Sequence, residues 1–153
     1  MHYSHLEDYI QHIYKSIKIS SPSQLNMTTI AERLGIQVSY GNVSFRINDE
    51  IILRRGTKEQ QWQEFGHEVC HYLRHCGNQL SMHPLFFELQ EYQANNFSYH
   101  FCVPTFMLLK QKNFNTLSIA RTFNVTESFA SRRLEIYQQN HIYGSNSHLN
   151  QIL

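Results

Sequence analysis

The sequence predicts an α+β fold that is mainly helical and carries one small three-stranded antiparallel sheet. Apolar residues recur every three or four positions over most of the 153-residue chain, which is the period of an amphipathic helix. Only residues 36–54 change to a period of two, and two turn signals divide that stretch into three short strands. The elements follow in order along the chain.

The N-terminal third is predicted to contain two helices followed by the sheet. The helices span residues 4–18 and about 27–34, and the strands span 36–40, 43–47 and 50–54. Gly35 suits the C-terminal cap of the second helix, because glycine readily adopts the left-handed conformation found there. Gly41-Asn42 and Asn48-Asp49 supply the two turns.

A longer helix is predicted from Thr57 to about Cys76. Thr57 and Gln60 match a capping box at its start. Its apolar side chains form one stripe, composed of Trp62, Phe65, Val69, Leu73 and Cys76. His67 and His71 fall on the opposite side of the helical wheel, together with His75. We therefore expect one face to pack on the core while the histidines face a cleft.

The remaining elements are predicted to be helical. Pro84 is well placed to begin a helix that ends at about Val103, packed beside the preceding helix. The C-terminal helical part, about 104–139, contains a short helix and then two helices joined around Asn124. We assign residues 1–140 to a single domain and the polar residues 141–153 to a flexible tail.

Charge and cysteine content restrict the class of function. Thirteen basic and twelve acidic residues give a net charge of +1, so no general attraction to nucleic acid or membranes is expected. Three cysteines form no even disulfide framework, and the first residues lack the apolar core of a signal peptide. No apolar run reaches the ~20 residues of a membrane span. These features predict a cytoplasmic location and leave the oligomeric state open.

The pentapeptide from His67 to His71 reads H-E-x-x-H. Its two histidines lie one helical turn apart, so both imidazoles can bind one metal ion, and Glu68 can act on the proton of an attacking water. A catalytic zinc site takes a third protein ligand. Glu91, 20 residues beyond His71, is our choice, and Glu88 is the alternative.

Asn95 shares a helical face with Glu91 and can support the site by hydrogen bonding to the carboxylate or to a ligand histidine. Zinc is favoured over iron or copper because two histidines and a carboxylate with an open position are its usual hydrolytic set. Ferrous iron could use the same three ligands but would leave Glu68 without a task. Cys70 and Cys76 are interpreted as buried hydrophobic residues, since the chain has no C-x-x-C pair.

These residues resemble the ImmA/IrrE family of zincin-like metallo-endopeptidases. The resemblance rests on the block His67–His71 and on the block E-x-x-A-N-x-F that starts at Glu91, and it covers roughly residues 27–137. Cys70 and Gln93 depart from the family pattern, where glycine and an acidic residue are frequent. Neither departure removes a ligand.

The resemblance implies a cytoplasmic zinc endopeptidase of narrow specificity that cleaves a helix-turn-helix repressor of a prophage or other mobile element. It implies that His67, His71 and Glu91 hold one Zn²⁺ ion and that Glu68 is the general base. The donor that stabilises the oxyanion stays open among Tyr72, His75, His83 and Tyr99. The strand at 50–54 is expected to present a sheet edge for an extended peptide.

A second hypothesis is a non-catalytic regulator with the same fold that binds DNA or a repressor through its C-terminal helices. Residues 117–136 can form a helix-turn-helix in which Arg121, Arg132 and Arg133 contact phosphates. We favour a packing or repressor-docking role for this part. The basic cluster is small, and Asn124 rather than glycine stands in the turn.

Overall fold

The computed structural model describes residues 3–74 and 83–143, and it confirms a mainly helical α+β fold with one small sheet. The helices are α1 (His5–Ser16), α2 (Met27–Leu34), α3 (Lys58–Arg74), α4 (Pro84–Cys102), α5 (Thr105–Leu108), α6 (Thr116–Phe123) and α7 (Glu127–Gln138). The strands are β1 (Gln37–Gly41), β2 (Phe45–Ile47) and β3 (Glu50–Arg54). Within these described ranges, no helix is both long and apolar enough to cross a membrane.

The helix boundaries follow the local signals in the sequence. The Thr57 hydroxyl accepts a hydrogen bond from the Gln60 N–H, and the Gln60 side chain accepts one from the Thr57 N–H, each at 3.2 Å, so the predicted capping box starts α3. Gly35 ends α2 with a φ of 75°, as predicted for a left-handed cap. Asn124 adopts the same conformation, with a φ of 55°, between α6 and α7.

The sheet has three strands, as predicted, but the prediction of an antiparallel meander was wrong. The strand order is β1-β3-β2, with β2 antiparallel and β1 parallel to β3. β3 therefore pairs along both of its edges, and its Ile51 and Leu53 side chains are fully buried on one face of the sheet. Consequently β3 is not the edge that was expected to accept a peptide, and β2 is an edge strand instead.

The two long helices α3 and α4 pack against each other at the centre of the molecule. From the predicted apolar stripe, Trp62, Phe65 and Val69 are buried, and Leu73 packs against the core while partly exposed. The fifth stripe residue, Cys76, lies outside the described residues. Cys70 is fully buried, as interpreted from the sequence.

Gly66 allows this close approach of α3 to α4. A Cβ atom at this position would lie 3.0 Å from the Cys102 Sγ, 3.1 Å from the Ser98 Oγ and 3.3 Å from the Phe101 Cδ1. All three neighbours belong to α4. A side chain at position 66 would therefore force these α4 side chains, or α4 itself, to shift.

The end of the C-terminal part is helical as far as residue 143. The chain continues from α7 as a π-helical turn over Gln139–Tyr143, and the His141 Nε2 lies 2.6 Å from the buried Glu7 Oε1 on α1. Residues 141–143 therefore continue the helical part, with His141 in contact with α1, while the flexibility of the tail stays a prediction. Residues 144–153 lie outside the described part of the chain.

Candidate metal centre

The histidines of α3 and Glu91 of α4 converge on one point. The His67 Nε2 lies 3.2 Å from the His71 Nε2 and 3.1 Å from the Glu91 Oε2, and the His71 Nε2 lies 3.0 Å from the Glu91 Oε1. Each residue thus offers one ligand atom to a common centre. Glu88, one turn earlier on α4, is exposed and is not part of this cluster.

The spacing of these ligand atoms fits a tetrahedral metal ion. Zinc bonds of about 2.0–2.2 Å in a tetrahedron separate neighbouring ligand atoms by roughly 3.3 Å, close to the observed 3.0–3.2 Å. Imidazole lone pairs and a carboxylate repel one another at such distances unless a cation or proton lies between them. The donor set and its geometry therefore suit a divalent cation.

Asn95 sets the orientation of the first histidine. Its Oδ1 lies 2.9 Å from the His67 Nδ1, which places the imidazole proton on Nδ1 and leaves the Nε2 lone pair directed at Glu91. The contact arises because Asn95 is one turn beyond Glu91 on α4. One helix thus supplies both a carboxylate and the group that orients its histidine partner.

Glu68 is a buried carboxyl group beside this cluster, with 7% of its surface exposed. Burial, and then the negative charge of Glu91, raise the pKa of Glu68 to about 7, while the positive charge of Arg46 opposes the shift. Glu68 lines the same cleft as His67, His71 and Glu91. A carboxyl group in this position can accept and return a proton within the cleft.

The cleft has a volume of about 650 Å³, and its lining comes from α3, α4, α7, β3 and the segment that leads into β2. α3 and α4 form its floor, and the segment leading into β2 forms one wall. Aromatic side chains from α4 and α7 form the opposite side, namely Phe87, Tyr99 and Phe129. The opening is large enough for a few residues of an extended peptide.

The candidate oxyanion donors differ in position. Tyr99 lines the cleft, with its ring centroid 4.5 Å from that of Phe129. Tyr72 donates its hydroxyl hydrogen to the Leu34 carbonyl at 3.3 Å, and His83 caps the start of α4 by accepting from the Leu85 N–H. His75 lies outside the described residues. Among the three described candidates, only Tyr99 lines the cleft.

Sequence reasoning missed a group of interacting polar residues that lines the cleft. Ser44, Arg54 and Glu64 hydrogen bond to one another where β2, β3 and α3 meet. The available signal was the position of Glu64, which lies three and four residues before His67 and Glu68 and thus on their helical face. Nothing in the sequence pattern brings Ser44 or Arg54 to that face.

The C-terminal arginines are also separated by the fold. Arg133 is fully buried and donates to the Val103 carbonyl at 3.0 Å and to the Thr105 hydroxyl at 2.8 Å. Arg132 is half exposed and pairs with Glu135 on the surface of α7. Because Arg133 faces the interior, the predicted trio of phosphate contacts is not formed.

Comparison with known proteins supports the family resemblance that was drawn from the block His67–His71 and from the block that starts at Glu91. The model of the Peptidase_M78 family, described as the IrrE N-terminal-like domain, matches residues 22–135. The phage-like element PBSX protein XkdA of Bacillus subtilis (strain 168) is 42% identical over 147 residues, covering 89% of this chain and 74% of that protein. The uncharacterized protein YqaB of the same strain is 39% identical over 148 residues, covering 88% and 84%.

No solved structure matched the chain. The family match extends from the turn before α2 into α7, so it includes the sheet, both metal blocks and most of the C-terminal helices. The residues that form the metal cluster and the cleft floor all lie inside it. The chain therefore belongs to the Peptidase_M78 family of IrrE N-terminal-like domains, and this membership supports its assignment as a metallopeptidase.

Proposed function

We propose that this protein is a zinc-dependent endopeptidase of narrow specificity that cleaves a helix-turn-helix repressor and thereby derepresses the genes of a prophage or mobile element. The observation that carries the proposal is the convergence of His67, His71 and Glu91 beside the buried Glu68 in one open cleft. Family membership supplies the peptidase class. The name of the relative XkdA, a phage-like element protein, supports the mobile-element context.

The residues divide the chemistry between them. His67, His71 and Glu91 would hold the ion, which supplies Lewis-acid activation of water and of the scissile carbonyl. Glu68 takes the proton of the attacking water and returns it to the leaving amine. Tyr99 is positioned in the cleft to donate a hydrogen bond to the oxyanion. Asn95 keeps the His67 ring in its ligating orientation.

The substrate is proposed to bind as an extended segment along the free edge of β2. Val43, Ser44 and Phe45 bring that edge to the cleft, where unpaired backbone groups can pair with a peptide. A cytoplasmic location forms part of the proposal, because Cys70 and Cys102 are both free thiols.

Metal content and cleavage should be measured on the same preparations. Glu68→Gln should retain one zinc per chain and lose about 10²–10⁴-fold in cleavage rate, because it removes proton transfer but no ligand. His67→Ala should lose the zinc as well. Glu88→Gln is the matched control, since it changes an exposed carboxylate one turn from Glu91 and should alter neither property.

The substrate should be sought by co-expressing the chain with the repressor encoded nearby and mapping fragments by mass spectrometry. Cleavage at one bond by the wild type, but not by Glu68→Gln, supports the proposal. Wild-type protein without bound zinc, or a Glu68→Gln variant with full cellular effect, would falsify it.

The regulator hypothesis predicts a different result. A non-catalytic DNA-binding protein should bind duplex with a salt-dependent affinity that persists in His67→Ala. The burial of Arg133 counts against this reading, because it removes one of the three proposed phosphate contacts.

A further inference from the structure

A second polar cluster joins the sheet to the helix that carries the histidines. The Glu64 Oε1 accepts a hydrogen bond from the Arg54 guanidinium at 2.8 Å, and the Glu64 Oε2 accepts one from the Ser44 hydroxyl. The Ser44 Oγ in turn accepts from the backbone N–H of Arg54 at 2.8 Å. These three residues thus connect the start of β2, the end of β3 and the middle of α3.

This cluster lies beside the proposed chemistry. Glu64 precedes His67 and Glu68 by one helical turn and shares their face of α3. Ser44, Arg54 and Glu64 all line the cleft that contains the metal cluster. The contact therefore fixes how far the edge strand lies from the reacting groups.

A hydrogen bond joins the start of β2 to α3. The side chains of Phe45 and Ile47 are 39% and 53% exposed, so these two residues contribute little apolar surface to the core. Besides its ladder with β3, the strand is linked to α3 by the contact between Ser44 and Glu64. It is also linked by the charge of Arg46, which acts on Glu68. The Arg54 side chain is 61% exposed, and such a pair adds little to global stability. The cluster is better suited to setting a position than to stabilising the fold.

We propose that Glu64 is a positioning residue that holds β2 at a set distance from α3 and so places a bound substrate opposite Glu68. The inference rests on the proposed endopeptidase function. A peptide paired with the edge of β2 moves with that strand, and a misplacement of ~1 Å can reduce a rate by up to 10²-fold. Loss of the anchor should therefore lower kcat while leaving the pairing edge, and thus KM, nearly unchanged.

The first test measures the strand itself and needs neither zinc nor substrate. Hydrogen exchange of the β2 amides in the full chain should be at least about fivefold faster in Ser44→Ala, because the hydroxyl loses its hydrogen bonds to Glu64 and from the Arg54 N–H. Ser44→Thr retains the hydroxyl and should restore slow exchange. Glu135→Ala is the matched control, since it breaks an exposed ion pair on α7 far from the cleft.

The second test uses cleavage of the repressor by the zinc-loaded protein. Ser44→Ala and Glu64→Ala should lower kcat about tenfold with KM within about twofold, and Ser44→Thr should recover most of the loss. Unchanged exchange in Ser44→Ala overturns the proposal, and so does faster exchange with an unchanged kcat. If the wild type cleaves nothing, the proposed function fails, and the exchange data still decide whether this contact positions β2.

Discussion

Replacement of Gly66 by alanine tests whether the close approach of α3 to α4 builds the metal cluster. Two effects oppose each other. Alanine is favoured over glycine inside a helix by about 1 kcal/mol. The new methyl group, however, meets three atoms of α4 at 3.0–3.3 Å, and such overpacking costs about 1–3 kcal/mol.

The neighbours of Gly66 cannot easily move aside. The Ser98 hydroxyl donates to the Gln63 carbonyl at 2.7 Å, and the Cys102 thiol donates to the Trp62 carbonyl at 3.4 Å. Rotation of either side chain would break its hydrogen bond. We therefore expect overpacking to exceed the gain in helix propensity and Gly66→Ala to destabilise the protein by about 1 kcal/mol.

A double-mutant cycle with Cys102→Ala isolates this contact. Removal of the Sγ opens the space into which the alanine methyl would project, so Gly66→Ala should become neutral or stabilising in that background. The expected coupling is about 1–2 kcal/mol. Urea denaturation in excess chelator measures it without the contribution of zinc binding to stability.

Zinc affinity provides a second readout of the same cycle. Gly66→Ala should weaken zinc binding, because separating the helices moves Glu91 away from the two histidines, and the double variant should recover it. The reasoning is refuted if Gly66→Ala costs the same with and without Cys102. It is equally refuted if the single variant gains the full ~1 kcal/mol expected from helix propensity alone.

Three further predictions concern the surrounding hydrogen bonds. Asn95→Ala should weaken zinc binding about 10–100-fold in a chelator competition, because the His67 ring loses its orienting acceptor; unchanged affinity would contradict that role. Glu7→Ala should destabilise the fold by about 3–5 kcal/mol in urea, because His141 loses its buried ion-pair partner and the Arg133 guanidinium loses a nearby negative charge, and a cost below ~1 kcal/mol would contradict this role of Glu7. Burial lowers the pKa of His100 from 6.5 to about 4, so its neutral form is favoured in the fold. The contribution of His100 to the free energy of unfolding should be complete above pH 6.5 and fall by about 3 kcal/mol as the pH drops to 4, so metal-free wild type should lose that much more stability over this range than metal-free His100→Gln.

Much of the fold could be predicted because the sequence signals for its elements are local. The capping box at Thr57, the left-handed cap at Gly35 and the apolar stripe on α3 depend on residues within one or two helical turns of each other. The same periodicity turned His67 and His71 away from the stripe. Sequence alone could therefore place both histidines on the face of α3 opposite its apolar stripe.

Other features required packing between distant parts of the chain. The alternating pattern of β3 matched a strand but did not show that it lies between β1 and β2, because periodicity reports which face is buried and not which neighbour covers it. In the same way, Arg133 had the composition of a phosphate contact, yet α7 turns it into the interior.

The sequence by itself determined the helices, the number of strands, and the histidine pair with Glu68 between them, since each depends on neighbours along the chain. Only the tertiary structure shows that the Glu91 carboxylate lies with the two histidines, whereas Glu88, one turn earlier on α4, is not part of that cluster. It alone brought Ser44 to Glu64, 20 residues apart. Contacts of this kind arise when separate elements bury their apolar faces together, and no local pattern encodes that arrangement.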